Sequence, residues 1–395
     1  EMLIKYLVTA KSPHDEKFWS KVRDEFGIRS DSTYLNTGSL GLLPVQIANR
    51  VARYYQLFTT QGYEALFSTA EQQEVVRCRL AAFIGADEDE IAFTRNTTEA
   101  VAAIIDGIKL NPEDEVLTTA HEYPAVMQRW RRRAERFGIK IRIVDIPSPP
   151  ENPEQIVDRF KQAITKRTRV IFFSHISRGP GLLHPAKALC ELAREHRLIS
   201  AIDGAQVVGI HPLNLRDIGC DFYANSLHKW ALAPVGCGIL FARREIQEEF
   251  WPRAGGGPPW DESVHGFELV EAIGTYAAPL RLAIGDSIDL INRIGFENIV
   301  ARARMLSDYL KAELVKRPCV RLATSLLPNL SGAGLTSFAH RSYTGEIVRE
   351  GINRHRRFVT SGDWDGGVDN TRVSTHFYNT KEEIDSFVEA LDNLS

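Results

Sequence analysis

No CxxC pair, no long apolar run and no excess of one charge sign occurs in these 395 residues. The five cysteines (Cys78, Cys190, Cys220, Cys237, Cys319) are scattered and odd in number, which speaks against a disulfide framework or a zinc site. No apolar stretch approaches the roughly 18 residues of a membrane span, so no membrane partner is expected. A net charge of −3 gives no electrostatic case for nucleic acid. The arginine run RWRRRAER at 129–136 therefore reads as a solvated helix face. Repeats and low-complexity segments are absent. A cytoplasmic location is the default expectation, with an export signal upstream of Glu1 left open.

What is present is alternation. From about residue 75 to 245, helical patterns (EQQEVVRCRLAAFIG, TTEAVAAIIDGI, YPAVMQRWRRRAERFG, PEQIVDRFKQAI, PAKALCELAREH) alternate with short strands. The strands are EIAFT, EVLTT, IKIRIVDI, RVIFFSHIS, LISAIDGAQ, DFYANSL and GCGILFARRE. Apolar strands between helices predict an α/β fold with a mostly parallel sheet covered on both faces. PRAGGGPPWD (252–261) predicts a surface loop. A single long helical stretch is expected over LRLAIGDSIDLINRIGFENIVARARMLSDYLKAELV, followed by a smaller α+β unit. The first thirty residues predict a helix and an extended arm leading into TYLNTGSLGLLP.

In an open parallel sheet, ligands bind at the carboxyl ends of the strands. Here those ends carry the polar residues. LISAIDGAQ ends in Asp203 and Gln206, DFYANSLHKW in Ser226, His228 and Lys229, and RVIFFSHIS in Ser174 and His175. EIAFTRNTTEA ends in Thr97 and Thr98 at a helix start, where free N–H groups and hydroxyls favour an anion such as phosphate. A lysine in an apolar shell can form a Schiff base, and a buried carboxylate can hold a protonated pyridine nitrogen. Together these suit pyridoxal phosphate.

In this light the chain resembles the fold-type I pyridoxal-phosphate enzymes of the class V aminotransferase group, in their isopenicillin N epimerase-like and cysteine desulfurase-like branch. The matching pieces are YLNTGSLG, TRNTTEA, HEYPA, SHIS, DGAQ, SLHKW, GTY and RVSTHFYNT, in the family's order across residues 34–380. The resemblance implies a large domain (34–282) with a seven-stranded-type sheet between helices and a small C-terminal α+β domain (283–395). Residues 1–33 would pack with the small domain.

It also implies roles. Lys229 would form the Schiff base and move the Cα proton, and Asp203 would pair with the ring nitrogen. Gln206 would bond the phenolic oxygen, and Thr97, Thr98, Ser226 and His228 would hold the phosphate. Tyr123 would stack on the ring, with His121 as the alternative. Thr275 would reach the partner's phosphate in a homodimer. Arg372 would grip the substrate α-carboxylate, beside Asn36 and Gly38.

Two departures stand out. Desulfurases carry a nucleophilic cysteine shortly before RVS, and HRRFVTSGDWDGGVDNTRVS has none. Arg178 follows SHIS where those relatives have asparagine, which implies a second substrate carboxylate or an altered bond to the cofactor's oxygen. The expected function is chemistry at Cα of an amino acid through a carbanion, epimerase-like. The alternatives are a C–S lyase on a cysteine conjugate, an aminotransferase, or a non-catalytic regulatory relative. The last would usually bring a DNA-binding domain, for which no segment here has room.

Overall fold

A computed structural model describes residues 12–251, 267, 270–354, 357–365 and 368–394. Helix Glu16–Arg23, capped by Asp15 accepting the Phe18 N–H, precedes strand β1 (Ser32–Tyr34). A seven-stranded sheet then collects β2 (Ile91–Thr94), β3 (Glu115–Thr119), β4 (Lys140–Val144), β5 (Thr168–Ser174), β6 (Ile199–Asp203), β7 (Phe222–Ser226) and β8 (Gly238–Ala242). Its spatial order is β2-β8-β7-β6-β5-β3-β4, with β8 antiparallel to both neighbours and the other pairs parallel. The mostly parallel α/β sheet expected from the alternation is present.

The composition of β5 shows why these segments are strands. Ile171 and Phe173 feed one core while Val170 and Phe172 feed the other, on the opposite face. A strand buried on both sides has no polar alternation, and each such side chain contributes about 1.5–3 kcal/mol of burial. Because β2, β3, β5, β6 and β7 share one direction, their carboxyl ends meet at one edge.

A second sheet is built from β9 (Val320–Leu322), β10 (Leu335–His340), β12 (Ser361–Asp365) and β13 (Val368–Ser374), antiparallel in the order β12-β13-β10-β9. Between β10 and β12 in the chain, β11 (Arg357–Val359) pairs in parallel with β1. Leu306, Leu310, Leu314, Phe338 and Phe387 form the core behind this sheet. The N-terminal helix joins the large core through Phe18, Trp19 and Val22, with Trp19 tilted 5.9 Å from Phe377, while Arg23 pairs with Glu383 at 2.6 Å and Arg302 with Glu16 at 2.5 Å.

One sequence expectation needs amendment. The single long helix is two, Ala278–Ile294 and Phe296–Val315, because Gly295 adopts φ +91° between them. The domain boundary expected after residue 282 falls inside the first of these, whose Ala283, Ile288 and Ile291 join the large core. Helix Val45–Gln61, with Ile47 as its fully buried residue, was not anticipated. The loop expected at 252–261 lies outside the described residues.

Candidate active site

The carboxyl ends of the large sheet surround a cavity of about 560 Å³. At one end, β2 runs into helix Thr97–Gly107, whose N-cap Asn96 accepts the Glu99 N–H at 2.9 Å. The Thr97 N–H donates to Ser226 Oγ at 2.8 Å, and the two hydroxyls lie 2.7 Å apart. Helix N–H groups and three hydroxyls (Thr97, Thr98, Ser226) thus converge where an anion is favoured. His228 lines the same end, its Nδ1 3.2 Å from the Cys237 carbonyl, and burial pushes its imidazole below the ordinary range.

Lys229 and Asp203 face the middle of the cavity. Burial pushes Lys229 down to about 8; Asp203 opposes this, and the Arg372 and Arg178 guanidiniums add to it. Burial also raises Asp203, against the Ala205 N–H bonded at 2.9 Å and the Lys229 charge. The loop from Asn36 to Gly41 closes over this wall. Gly41 N–H donates to the His228 carbonyl at 2.9 Å, and a Cβ on Gly41 would lie 2.0 Å from the Lys229 carbonyl, so only glycine fits. Gln206 holds Gly38 through its amide, donating to the Gly38 carbonyl at 2.9 Å and accepting from Trp230 at 2.7 Å.

The far end is made between the two sheets. Arg178 lines the cavity, its guanidinium 5.7 Å from the Tyr123 ring centre and 3.1 Å from the Gly362 carbonyl in β12. Arg372, fully buried on β13, donates to Asn36 Oδ1 at 3.0 Å and Ser39 Oγ at 2.5 Å, and reaches the Arg178 carbonyl at 3.5 Å.

Of the residues singled out in the sequence, Gly38, Thr97, Thr98, Tyr123, Arg178, Asp203, Gln206, Ser226, His228 and Lys229 line the cavity. Asn36 and Arg372 stand directly behind its Ser39 wall. His121 does not line it; its backbone N–H is bonded to Thr119 Oγ1 and its charge acts on His184. Thr275 lines a neighbouring cavity of about 630 Å³ that shares Arg95 and Gly236 with the first. His175 is a buried imidazole 3.0 Å from the Tyr223 hydroxyl, pushed down to about 3 by burial, which suits a packing role. Glu122 and Ser39 were missed. For Glu122 the signal was an acid directly after β3 with no basic residue three or four positions on. The residues fit pyridoxal phosphate: an anion cradle, an amine pushed toward neutrality and a buried carboxylate share one cavity.

The Aminotransferase class-V family model matches residues 33–387. The chain is 33% identical over 396 residues to an isopenicillin N epimerase of Streptomyces clavuligerus, covering 95% of this chain and 98% of that one. It is 26% identical to a cysteine desulfurase of Haloferax volcanii, covering 91% and 88%. Among solved structures, the cystine C–S lyase C-DES in complex with cysteine persulfide superposes with a TM-score of 0.83 at 24% identity, over 92% of this chain and 98% of that chain. Apo cysteine desulfurase from Thermococcus onnurineus gives 0.84 at 24% identity, over 95% and 97%. These two likenesses establish the shared fold.

Proposed function

The chain belongs to the class V aminotransferase family and is a pyridoxal-phosphate enzyme, and on that premise we propose that it epimerises an amino acid at Cα. The observation that carries this reading is the content of the cavity. It is lined by two side chains able to carry a proton at Cα, Lys229 and Tyr123, and by no thiol. Among the described residues, the cysteines lie elsewhere; Cys190, Cys220 and Cys237 are buried in packing. A persulfide-forming desulfurase route has no nucleophile on this basis.

Pyridoxal phosphate, when bound, supplies an aldehyde for the amino group and a ring that accepts the electron pair left by deprotonation. Thr97, Thr98, Ser226 and His228 would hold its phosphate, and Asp203 its ring nitrogen. Gln206 would bond its phenolic oxygen through the Nε2 hydrogen not used by Gly38. Lys229 takes the proton from Cα on one face, and the Tyr123 hydroxyl returns one on the other. Arg372 binds the α-carboxylate as a fork, steered by Asn36 and Ser39, while Arg178 meets a second anionic group of the substrate.

The reading includes a homodimer. Thr275 is exposed beside the cavity that abuts the first, and Tyr63, Phe67, Val235 and Ile273 are large apolar residues left exposed. Thr275 of one copy would reach the phosphate of the other.

The test is incubation of the holoenzyme with a panel of amino acids in deuterated water. Deuterium at Cα with loss of chirality supports the proposal. Pyruvate with ammonia would make it a C–S lyase, and a keto acid an aminotransferase. Absence of Cα exchange with every substrate would refute chemistry at Cα.

A further inference from the structure

The mechanism above leaves unused a buried acid beside the cavity, Glu122. Glu122 follows β3 and is enclosed by the ends of β3 and β5. Its Oε1 accepts from Thr119 Oγ1 at 2.7 Å and from the Ser174 N–H at 3.1 Å. Thr119 Oγ1 accepts from the His121 N–H and donates its own hydrogen to Glu122. Oε2 lies 2.6 Å from Ser174 Oγ.

Counting donors places a proton. Oε1 already receives two hydrogens and has no room for its own, so a neutral carboxyl carries its proton on Oε2 and donates it to Ser174 Oγ. Ser174 then has its own hydroxyl hydrogen to spare. Ser174 lines the cavity and is the register partner of Asp203 across β5 and β6, so both side chains leave the same face of neighbouring strands.

The surroundings favour this state. No lysine or arginine is paired with Glu122 among the described residues. Burial pushes its carboxyl up to about 7 against the Ser174 and Thr119 hydrogen bonds, with Asp203 adding to the rise. Directly after β5, His175 is pushed down to about 3, as is His184 further along, so both are uncharged near neutrality. His121 lies on Glu122's own segment, and Lys229 lies beyond Asp203.

We propose that Glu122 is a positioning residue for Asp203: on the acid side of neutrality it is protonated on Oε2, leaves Asp203 the lone anion at that wall, and turns the Ser174 hydroxyl outward as a cavity donor. This rests on the reading of Asp203 as the partner of the cofactor's ring nitrogen. It does not depend on which reaction follows.

Glu122→Gln keeps the neutral shape, with an oxygen for the two donors and an N–H for Ser174. The first readout is thermal stability of the cofactor-free protein against pH. A carboxyl raised in the fold contributes stability that is full below its ordinary 4.5 and is lost as pH climbs to about 7. Wild type should therefore lose ground to E122Q across that interval and run parallel to it above. The second readout is cofactor affinity a unit below pH 7. There E122Q should match wild type while Glu122→Ala falls about tenfold, the worth of a lost hydrogen bond beside a charged group. Parallel stability curves at every pH, or E122Q failing as E122A does, would overturn the proposal. Failure of the epimerase reading would leave both readouts intact.

Discussion

The two ends of the cavity are built differently. The end proposed for the phosphate is made by one sheet: Thr97 and Ser226 are 2.7 Å apart because β2 and β7 both flank β8. The end proposed for the substrate is made between sheets: Arg372 comes from β13, Arg178 follows β5, and both are steadied by Asn36, Ser39 and Gly362 from elsewhere in the chain. The first end reads from short contiguous motifs. The second can be retuned by any of three segments without touching the first, which is how one cofactor site can serve several reactions.

The sharpest break between the ends should come from their shared centre. Lys229→Ala should lower turnover by about 10³-fold or more while leaving the fold intact, measured by steady-state rates and circular dichroism. Asp203→Asn should cost roughly 10²-fold in kcat, since a neutral amide cannot hold a charged ring nitrogen. At the substrate end, Arg372→Lys keeps the charge but loses the fork, and KM should rise about tenfold or more with cofactor affinity unchanged. Arg178→Gln should act likewise, and selectively on substrates with a second anionic group. At the phosphate end, Thr97→Ala removes one hydroxyl contact worth about 1 kcal/mol, so cofactor affinity should fall several-fold with KM for substrate unchanged. If the arginine variants loosen the cofactor, or Thr97→Ala shifts KM alone, the division between ends is wrong.

A pH effect separates the two ends further. Lys229 has a depressed value of about 8, so its amine is charged below that and neutral above. Uptake of pyridoxal phosphate by the cofactor-free protein should accelerate as pH rises through about 8. Because Arg372 and Arg178 help depress the lysine, their neutral variants should move that midpoint upward.

Much of this was legible before the structure. Strand ends carry their chemistry within a few residues of the apolar run that makes the strand, so Asp203, Lys229 and the Thr97 cradle could be read locally. Arg372 could be read only through resemblance, since its partners Asn36 and Ser39 lie more than 300 positions away. The sequence hides Gly295 as a helix break because the apolar periodicity continues across it. Helix Val45–Gln61 buries only Ile47 fully, while Val51 and Tyr54 pack half-buried against the core, so its apolar stripe is legible only weakly. Glu122 looks like a surface acid until burial and the Ser174 contacts are seen.

The central claim is that Lys229 carries the cofactor between these two ends. Borohydride reduction of the holoenzyme, followed by mass spectrometry of its peptides, tests it directly. The expected result is a reduced pyridoxyl group on the peptide containing Lys229 and on no other lysine. A label elsewhere, or an unlabelled Lys229 peptide from active enzyme, would contradict the account.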